Sequence, residues 1–544
     1  MEQLESGSPA NPREQILART SRDGRTRTSR PCHRIFGRRR RWVGVDCCAW
    51  MGRCGTGWAT SPSVSWRELV SCWGGRGADG AAPVSGPAAE TSNSIHTSSA
   101  TTFVLHAGKE HSPSVGLTAS FFSPVTPTDL FRQSLPFSYL SLSVASLDGR
   151  NHKVEVYSDI NGLWAADGEA EELEWSSERG EGWIGSRFAL QDQRSFQEES
   201  DRILEGDVWY VGKTGGKIAT SCSAGHDAAS LRKHFAETGG LWHGANSTFR
   251  NTRSRTRRGD VLDEPVFALA HSFGTITPST SSLDSTALVA IGHVRDPIVQ
   301  YMTAGEKTTT LRPYWTSKYD SPHTLIDFVL SDHSHVRELS EAWNRKLYAD
   351  ARRVHSSEYA HILAISTRQI FMAIEAVWDV PPPTLLTSSL SLPPFLDPLA
   401  RPPKPLFFLK EISSNGNCQT VDIIAPMLPF LLYFSPTLLA GLLEPIYRYV
   451  STGLYLPLPP PHDLGDAYPN ATGRNDFLYS GLPLEESGNM LVIAAAGLQR
   501  GKEGREQASM YYGILKAWAG YLVQDTLFPV EQRESALVGA REVC

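Results

Sequence analysis

At 544 residues, with 40% hydrophobic and 20% charged side chains, the chain has a globular composition and is long enough for two to four domains of roughly 100–200 residues each. Its net charge of −6, from 52 Lys and Arg against 58 Asp and Glu, excludes a general basic field for nucleic acid and leaves partner choice to a local site. The longest apolar run, Ile423–Val450, is interrupted by Pro426, Pro429, Pro436 and Pro445, so it reads as packed helices and turns and excludes a membrane span.

Residues 1 to about 100 are rich in Gly, Ser, Arg and Trp and are assigned no fold. The segment ARTSRDGRTRTSRPCHRIFGRRRRW admits three readings: a nucleic-acid or nuclear-import patch, a disordered tail, or a leader upstream of the true coding sequence. The start, MEQLESGSPANPREQ, is polar and acidic, so no secretory signal is readable there. Of the eight cysteines, Cys32, Cys47, Cys48, Cys54 and Cys72 fall in this leader, leaving Cys222, Cys418 and Cys544. With no CxxC pair, neither a zinc site nor a disulfide framework is expected, and no metal or other cofactor. Sequons at Asn246 and Asn470 are compatible with secretion but occur readily by chance.

From Thr101 the runs TTFVLHAG, VGLTASFFSPV, FSYLSLSVASLDG and HKVEVYSDING are β-branched and aromatic and are separated by turn signals such as Asp148-Gly149. With DVWYVGK, EPVFALAHSFG and STALVAIGHV they predict an antiparallel β-sandwich over 101–293. NTRSRTRRGD reads as a solvated basic loop. After LRPYW the apolar spacing becomes helical, so 294–455 is predicted as a central helical domain, interrupted by a Pro/Leu/Ser insert at 381–405. GNMLVIAAAGLQR and ASMYYGILKAWAGYLVQD predict two further helices in 456–544.

Leu406–Met490 concentrates Lys410, Glu411, Asn415, Asn417, Gln419, Asp422, His462, Asp463, Glu485, Glu486 and Asn489 in or beside apolar sequence. Polar groups are costly to bury without partners, so this density points to a lined cleft.

The strings RQSLPFSYLSLSVASLDG, VEVYSDINGLW, GHVRDPIVQY, LRPYW, AISTRQIF, FLKEISSNGNCQTVDIIAP, PHDLG and LEESGNM together resemble the glutaminase A family, secreted fungal enzymes with bacterial relatives, over about 101–530. The resemblance implies a β-sandwich, a central helical domain and a C-terminal (α/α)6 toroid of paired helices like that of six-hairpin glycosidases. It also implies extracellular hydrolysis of L-glutamine to L-glutamate and ammonia, with no nucleic-acid or membrane partner. A complete toroid takes about twelve helices, more than the residues after Tyr455 supply. The fold is therefore expected as a sandwich, a helical domain and the start of an incomplete toroid. Apolar surface is expected to be exposed around Leu491–Ala496 and Tyr511–Leu522.

Amide hydrolysis needs an activated water or nucleophile, a proton donor for the leaving ammonia and stabilisation of the oxyanion. Glu485 and Glu486, at the start of a helix, are the candidate acid or base, against a capping and packing role. Asp463 is the candidate partner, beside His462 on a Pro/Gly-bounded loop that could equally be a structural clamp. Glu411, Asn415, His462, Arg312 and Trp315 are candidates for substrate binding, against a buried hydrogen-bond network or an Arg stacked between domains. Cys418 and Ser366-Thr367 are weak nucleophile candidates, and oligomeric state is not readable. A six-hairpin glycoside hydrolase and a non-catalytic, truncated scaffold remain as alternatives.

Overall fold

The strand signals after Thr101 build two stacked sheets. The computed structural model describes residues 73–76, 84–85 and 90–527, apart from 110–111, 166–171, 200–201, 246–253, 256–260, 264, 282–283, 304–306, 379–404, 412–415 and 476–480. The arginine-rich leader segment, the sequon at Asn246, most of the basic loop and all of the insert but Pro405 lie outside the described residues. The larger sheet is antiparallel throughout. Its spatial order is Glu90–His96, Ala100–Lys109, Ser112–Phe122, Phe137–Ser146, Thr286–Val294, Asp207–Lys213, Trp183–Leu190 and Leu173–Gly180. The smaller sheet is centred on Ala219–Asp227, Pro265–Ile276 and His152–Asn161. Between the sheets Leu117, Leu142 and Val289 meet Val154 and Leu269, and Phe188 stacks on Phe267 with ring centroids 3.7 Å apart. Each such side chain contributes about 1.5–3 kcal/mol by leaving water.

Helices cover the outer faces as well. Pro322–Val354 lies on the larger sheet, where Tyr139 Oη donates to the Val329 carbonyl at 3.1 Å and Trp183 Nε1 donates to Asp327 at 2.6 Å. Ala228–Thr238 packs Leu231 and Phe235 against Tyr157 and Val266 of the smaller one. Central strands are thus buried on both faces, so that burial runs nearly unbroken along Phe137–Ser146 and Pro265–Ile276, with small serines among the apolar residues of the first. A second long helix, Ser357–Met372, follows the first, and Arg368 from it donates to the carbonyls of Thr97 and Ala100.

The expectation of a central helical domain over 294–455 needs correction, because that stretch also holds strands. Val299–Thr303, Lys307–Pro313, Ile374–Trp378 and Pro405–Leu409, completed by Asn470–Ala471, form a second sheet system outside the two sheets of the sandwich. Its strands span five to seven residues where they are longest, too short for a period to show, and their partners are remote in sequence. Ile374–Trp378 and Pro405–Leu409 pair antiparallel, so the insert joins two adjacent strands. A buried charge set ties this sheet to the sandwich. Arg295 lies 2.5 Å from Glu375 and 3.6 Å from Glu205, and Tyr468 Oη donates to Glu375.

The helical region continues with Val421–Phe434, Pro436–Ser451, Pro483–Arg500, Lys502–Met510 and Tyr512–Asp525. Pro436–Ser451 covers strand Pro405–Leu409, and Pro483–Arg500 packs on Val421–Phe434 and on the last two helices. Tyr447 stacks on Tyr511 and Trp518. Within the segments expected to expose apolar surface, Ile493, Tyr511 and Trp518 are buried while Val492 and Tyr512 are exposed, and of the residues flanking them Met490 is buried and Val523 exposed. None of the described helices is long and apolar enough to cross a membrane.

His271 is fully buried between the sandwich layers, 3.1 Å from Thr220 Oγ1, and burial pushes its pKa down to about 4. The unfolded imidazole titrates near its ordinary 6.5, so stability is complete above that pH and falls as the pH drops towards 4, where only the unfolded chain takes up the proton. His271→Gln is therefore expected to lose less melting temperature than the parent between about pH 7 and about pH 4.5. Equal losses in the two proteins would show that His271 does not set the acid response.

Candidate functional site

Two helix N-termini and one loop converge on a buried cluster. Val421–Phe434 begins at Thr420, whose hydroxyl donates to Glu411 at 3.0 Å and makes no cap bond, and Asp422 supplies the negative charge of the first turn. Pro483–Arg500 begins with Pro at its first position and carries Glu485 and Glu486 in its first turn. The lead-ins of both helices hold non-glycine residues in the left-handed region, Gln419 at φ 62° and Leu482 at φ 53°. Such backbone costs on the order of 1–3 kcal/mol per residue and persists where its surroundings fix it. Gln419 is fixed by its own amide, which accepts from Leu409 N at 2.7 Å and donates to the Phe407 and Leu442 carbonyls.

The loop 462–474 supplies His462 and Asp463. It is bound to the helix start by Val421 N donating to the His462 carbonyl, and to the preceding turn by Cys418 N donating to the Gly465 carbonyl, at 2.8 and 2.7 Å. A Cβ at Gly465 would strike the Asn470 carbonyl, so the glycine of HDLG permits this close approach. Asp463 is buried and heavily bonded: it accepts from Arg474 at 2.8 and 3.0 Å, from Gly465 N at 2.8 Å, from Asn417 at 3.2 Å, and faces His462 Nδ1 at 2.8 Å.

Held in this way, His462 turns Nε2 towards Asp422 Oδ1 at 3.4 Å and Glu486 Oε1 at 3.9 Å. The first separation is that of an ion pair, and neither carboxylate oxygen has a hydrogen-bond partner. Burial works against the imidazolium, but the carboxylates of Asp422 and Asp463 outweigh it, and the His462 pKa is pushed up to about 10. Burial pushes Glu486 up to about 8 against the opposing pull of His462. Glu485, partly buried beside it, is raised by burial and then by the charge of Asp422. Asp422, His462 and Glu486 are the residues here able to hold a metal ion, with one ligand atom from each lying within 4.8 Å of the others.

The structure thus brings together Glu486, Asp463 and His462, with Glu485 on the same helical turn and Glu411 one hydrogen bond away through Thr420. Asn415 lies outside the described residues. Two expectations need correction. Arg312 is half-exposed and gives its guanidinium to Asp296, not to a residue of the cluster. Trp315 is buried among Phe131, Leu325 and Val329 where the long helix meets the sandwich, so it forms core and not a substrate wall. Cys418 is fully buried and its thiol is pushed far up by burial, while Ser366 Oγ and Thr367 Oγ1 donate to the Ile362 and Leu363 carbonyls of their own helix. Asn470 donates its side-chain amide to the Phe196 and Ala467 carbonyls, which leaves that sequon structural.

Sequence reasoning placed Asp422 among the cleft-lining polar residues without giving it a role, and it missed Arg474. Asp422 carried a signal, a lone carboxylate opening the apolar run VDIIAPML. Arg474 carried none. Arg474→Ala leaves a buried carboxylate without its principal counter-charge and is expected to cost roughly 3 kcal/mol in chemical denaturation. A loss below about 1 kcal/mol would show that Gly465 N and Asn417 suffice to hold Asp463.

The residues of the cluster fall within 356–540, the stretch matched by the glutaminase A six helical-hairpin domain, while 99–350 matches a domain of unknown function, DUF5127. Glutaminase A of Aspergillus oryzae is 32% identical over 484 residues, covering 89% of this chain and 63% of the relative. A chain described as "Probable glutaminase" from Arthroderma benhamiae is 32% identical over 418 residues, covering 74% of this chain and 44% of that one. The chain therefore spans less than two thirds of the length of these relatives. Both consecutive domain matches and the two relatives agree, and what this chain is similar to is the glutaminase A family.

Proposed function

We propose that the chain is a hydrolase of a linear amide, L-glutamine plus water to L-glutamate plus ammonia, with the reaction at the Asp422–His462–Glu486 cluster. The observation that carries this reading is the meeting of those three side chains, from three separate elements, inside the stretch that matches the glutaminase A hairpin domain. In the reaction water adds to the side-chain carbonyl carbon of glutamine, the tetrahedral intermediate expels nitrogen, and that nitrogen must leave protonated. The His462–Asp463 pair is the oriented imidazole that such a proton transfer requires. Glu485 and Glu486 are the acid/base carboxyls, Asp422 fixes the charge of the imidazole, and Glu411 lies on the substrate side. An extracellular location, implied by the resemblance, belongs to the same reading.

Asp422 and Glu486 offer carboxylate oxygens within 4.8 Å of each other, close to the spacing of about 5 Å between the two carboxyl groups of retaining glycosidases. Oligosaccharides are therefore the second substrate class in the same assay. Glutamate release from L-glutamine is expected, and Glu486→Gln and Asp422→Asn are expected to lower kcat by roughly 100-fold or more with the melting temperature retained. Unchanged turnover in both variants would sink the assignment of the site. Sugar release without glutamate would replace the reaction.

A further inference from the structure

Carboxylate oxygens buried without a donor are uncommon, because each bears the desolvation cost of its charge uncompensated. Two of them meet here. Asp422 Oδ1 and Glu486 Oε1 lack a hydrogen-bond partner, and their residues are 6% and 0% exposed. Both face one atom, His462 Nε2. The other ring nitrogen is bound to Asp463, which is itself locked by Arg474, Asn417 and Gly465 N. That chain of contacts commits Nδ1 and its proton to Asp463 and leaves Nε2 as the nitrogen facing the two carboxylates, where a bound metal ion would take the place of the Nε2 proton. A carboxylate behind an imidazole is the outer-shell arrangement that orients histidine towards a metal.

We propose that Asp422 Oδ1, His462 Nε2 and Glu486 Oε1 are the protein ligands of a divalent transition-metal ion, with Asp463 as the positioning residue for the imidazole. Metal–ligand bonds of roughly 2.0–2.2 Å set ligand atoms about 3–4 Å apart, and the separations of 3.4 and 3.9 Å from His462 Nε2 meet that requirement. Two carboxylates balance the charge of a divalent ion. One imidazole with two carboxylates and no thiolate suits Zn²⁺, Mn²⁺ or Fe²⁺ better than Ca²⁺ or Mg²⁺, which prefer oxygen alone. Three protein ligands leave positions open for water or a substrate oxygen. With the ion bound Glu486 is a ligand, and Glu485 carries the proton traffic. The sequence hid this site because its ligands stand at 422, 462 and 486, without the close spacing of a recognisable motif.

The inference shares its residues with the amide-hydrolase reading but not its substrate, so it is tested without glutamine and either can fail alone. Purified full-length chain is stripped with chelator, desalted and titrated with Co²⁺, followed by visible absorption and calorimetry. One equivalent of oxygen- and nitrogen-coordinated Co²⁺, displaceable by Zn²⁺, is expected. Asp422→Asn and Glu486→Gln should each weaken binding by about 100-fold or more, and Asp463→Asn by about 10–100-fold, with circular dichroism of the metal-free proteins unchanged. Binding that shows only sulfur charge-transfer absorption, from the cysteines of the leader, would overturn the proposal. So would parent-like affinity in the Asp422→Asn/Glu486→Gln double variant, or no stoichiometric binding by the parent chain.

Discussion

The candidate site depends on one buried ion pair, Asp463 with Arg474. A carboxylate fully removed from water is tolerable only when its lone pairs are filled, and here a guanidinium, a backbone amide and an asparagine amide fill them. The bonding also fixes the loop 462–474 in one geometry, because Arg474 N is held in turn by Tyr449 Oη at 2.7 Å. What remains of Asp463 is directed at His462 Nδ1. The direction of the imidazole, and so of everything Nε2 faces, follows from that single arrangement.

Around this pair the fold places charge where it is expensive. Asp422 and Glu486 sit in the first turns of two helices, where the helix dipoles favour anions and their burial does not. The helices are held together by apolar packing of Met490 and Ile493 with Ile424 and Leu431, so the carboxylates cannot separate to relieve their repulsion. Pre-organised, desolvated charge of this kind is what differential stabilisation of a transition state requires. The left-handed backbone at Gln419 and Leu482, just before each of these helices, is consistent with strain retained for the sake of the site.

The sandwich contributes no side chain to the cluster among the described residues, yet it is joined to it by charge. Arg295, at the end of the last sandwich strand, lies between Glu205 of the sandwich and Glu375 of the second sheet, and Tyr468 of the site loop completes the set. Lys410, beside the site turn, lies 3.8 Å from Glu198 of the sandwich. These contacts cross from one sheet system to the other, and they make the sandwich a support against which the site loop is braced.

Much of this was legible in the chain. Turn-separated β-branched runs specified the sandwich, because period-two patterning and turn chemistry are local properties. Glu485, Glu486, His462 and Asp463 stood out because each breaks an apolar or Gly/Pro-bounded context. The second sheet was not legible: its strands are short, and pairs such as Ile374–Trp378 with Pro405–Leu409 form only once the intervening chain is looped out. Nor were the corrections at Arg312 and Trp315, since a side chain beside a cleft-like motif in sequence can face a different layer in space. Asp422 and Arg474 joined the site through contacts spanning residues 422–486, distances no local pattern encodes. The sequence by itself determined the strands of the sandwich, the long helices and which polar residues are too costly to bury idly. Only the tertiary structure decided which of those residues meet, because burial and charge pairing are properties of packed neighbours and not of chain order.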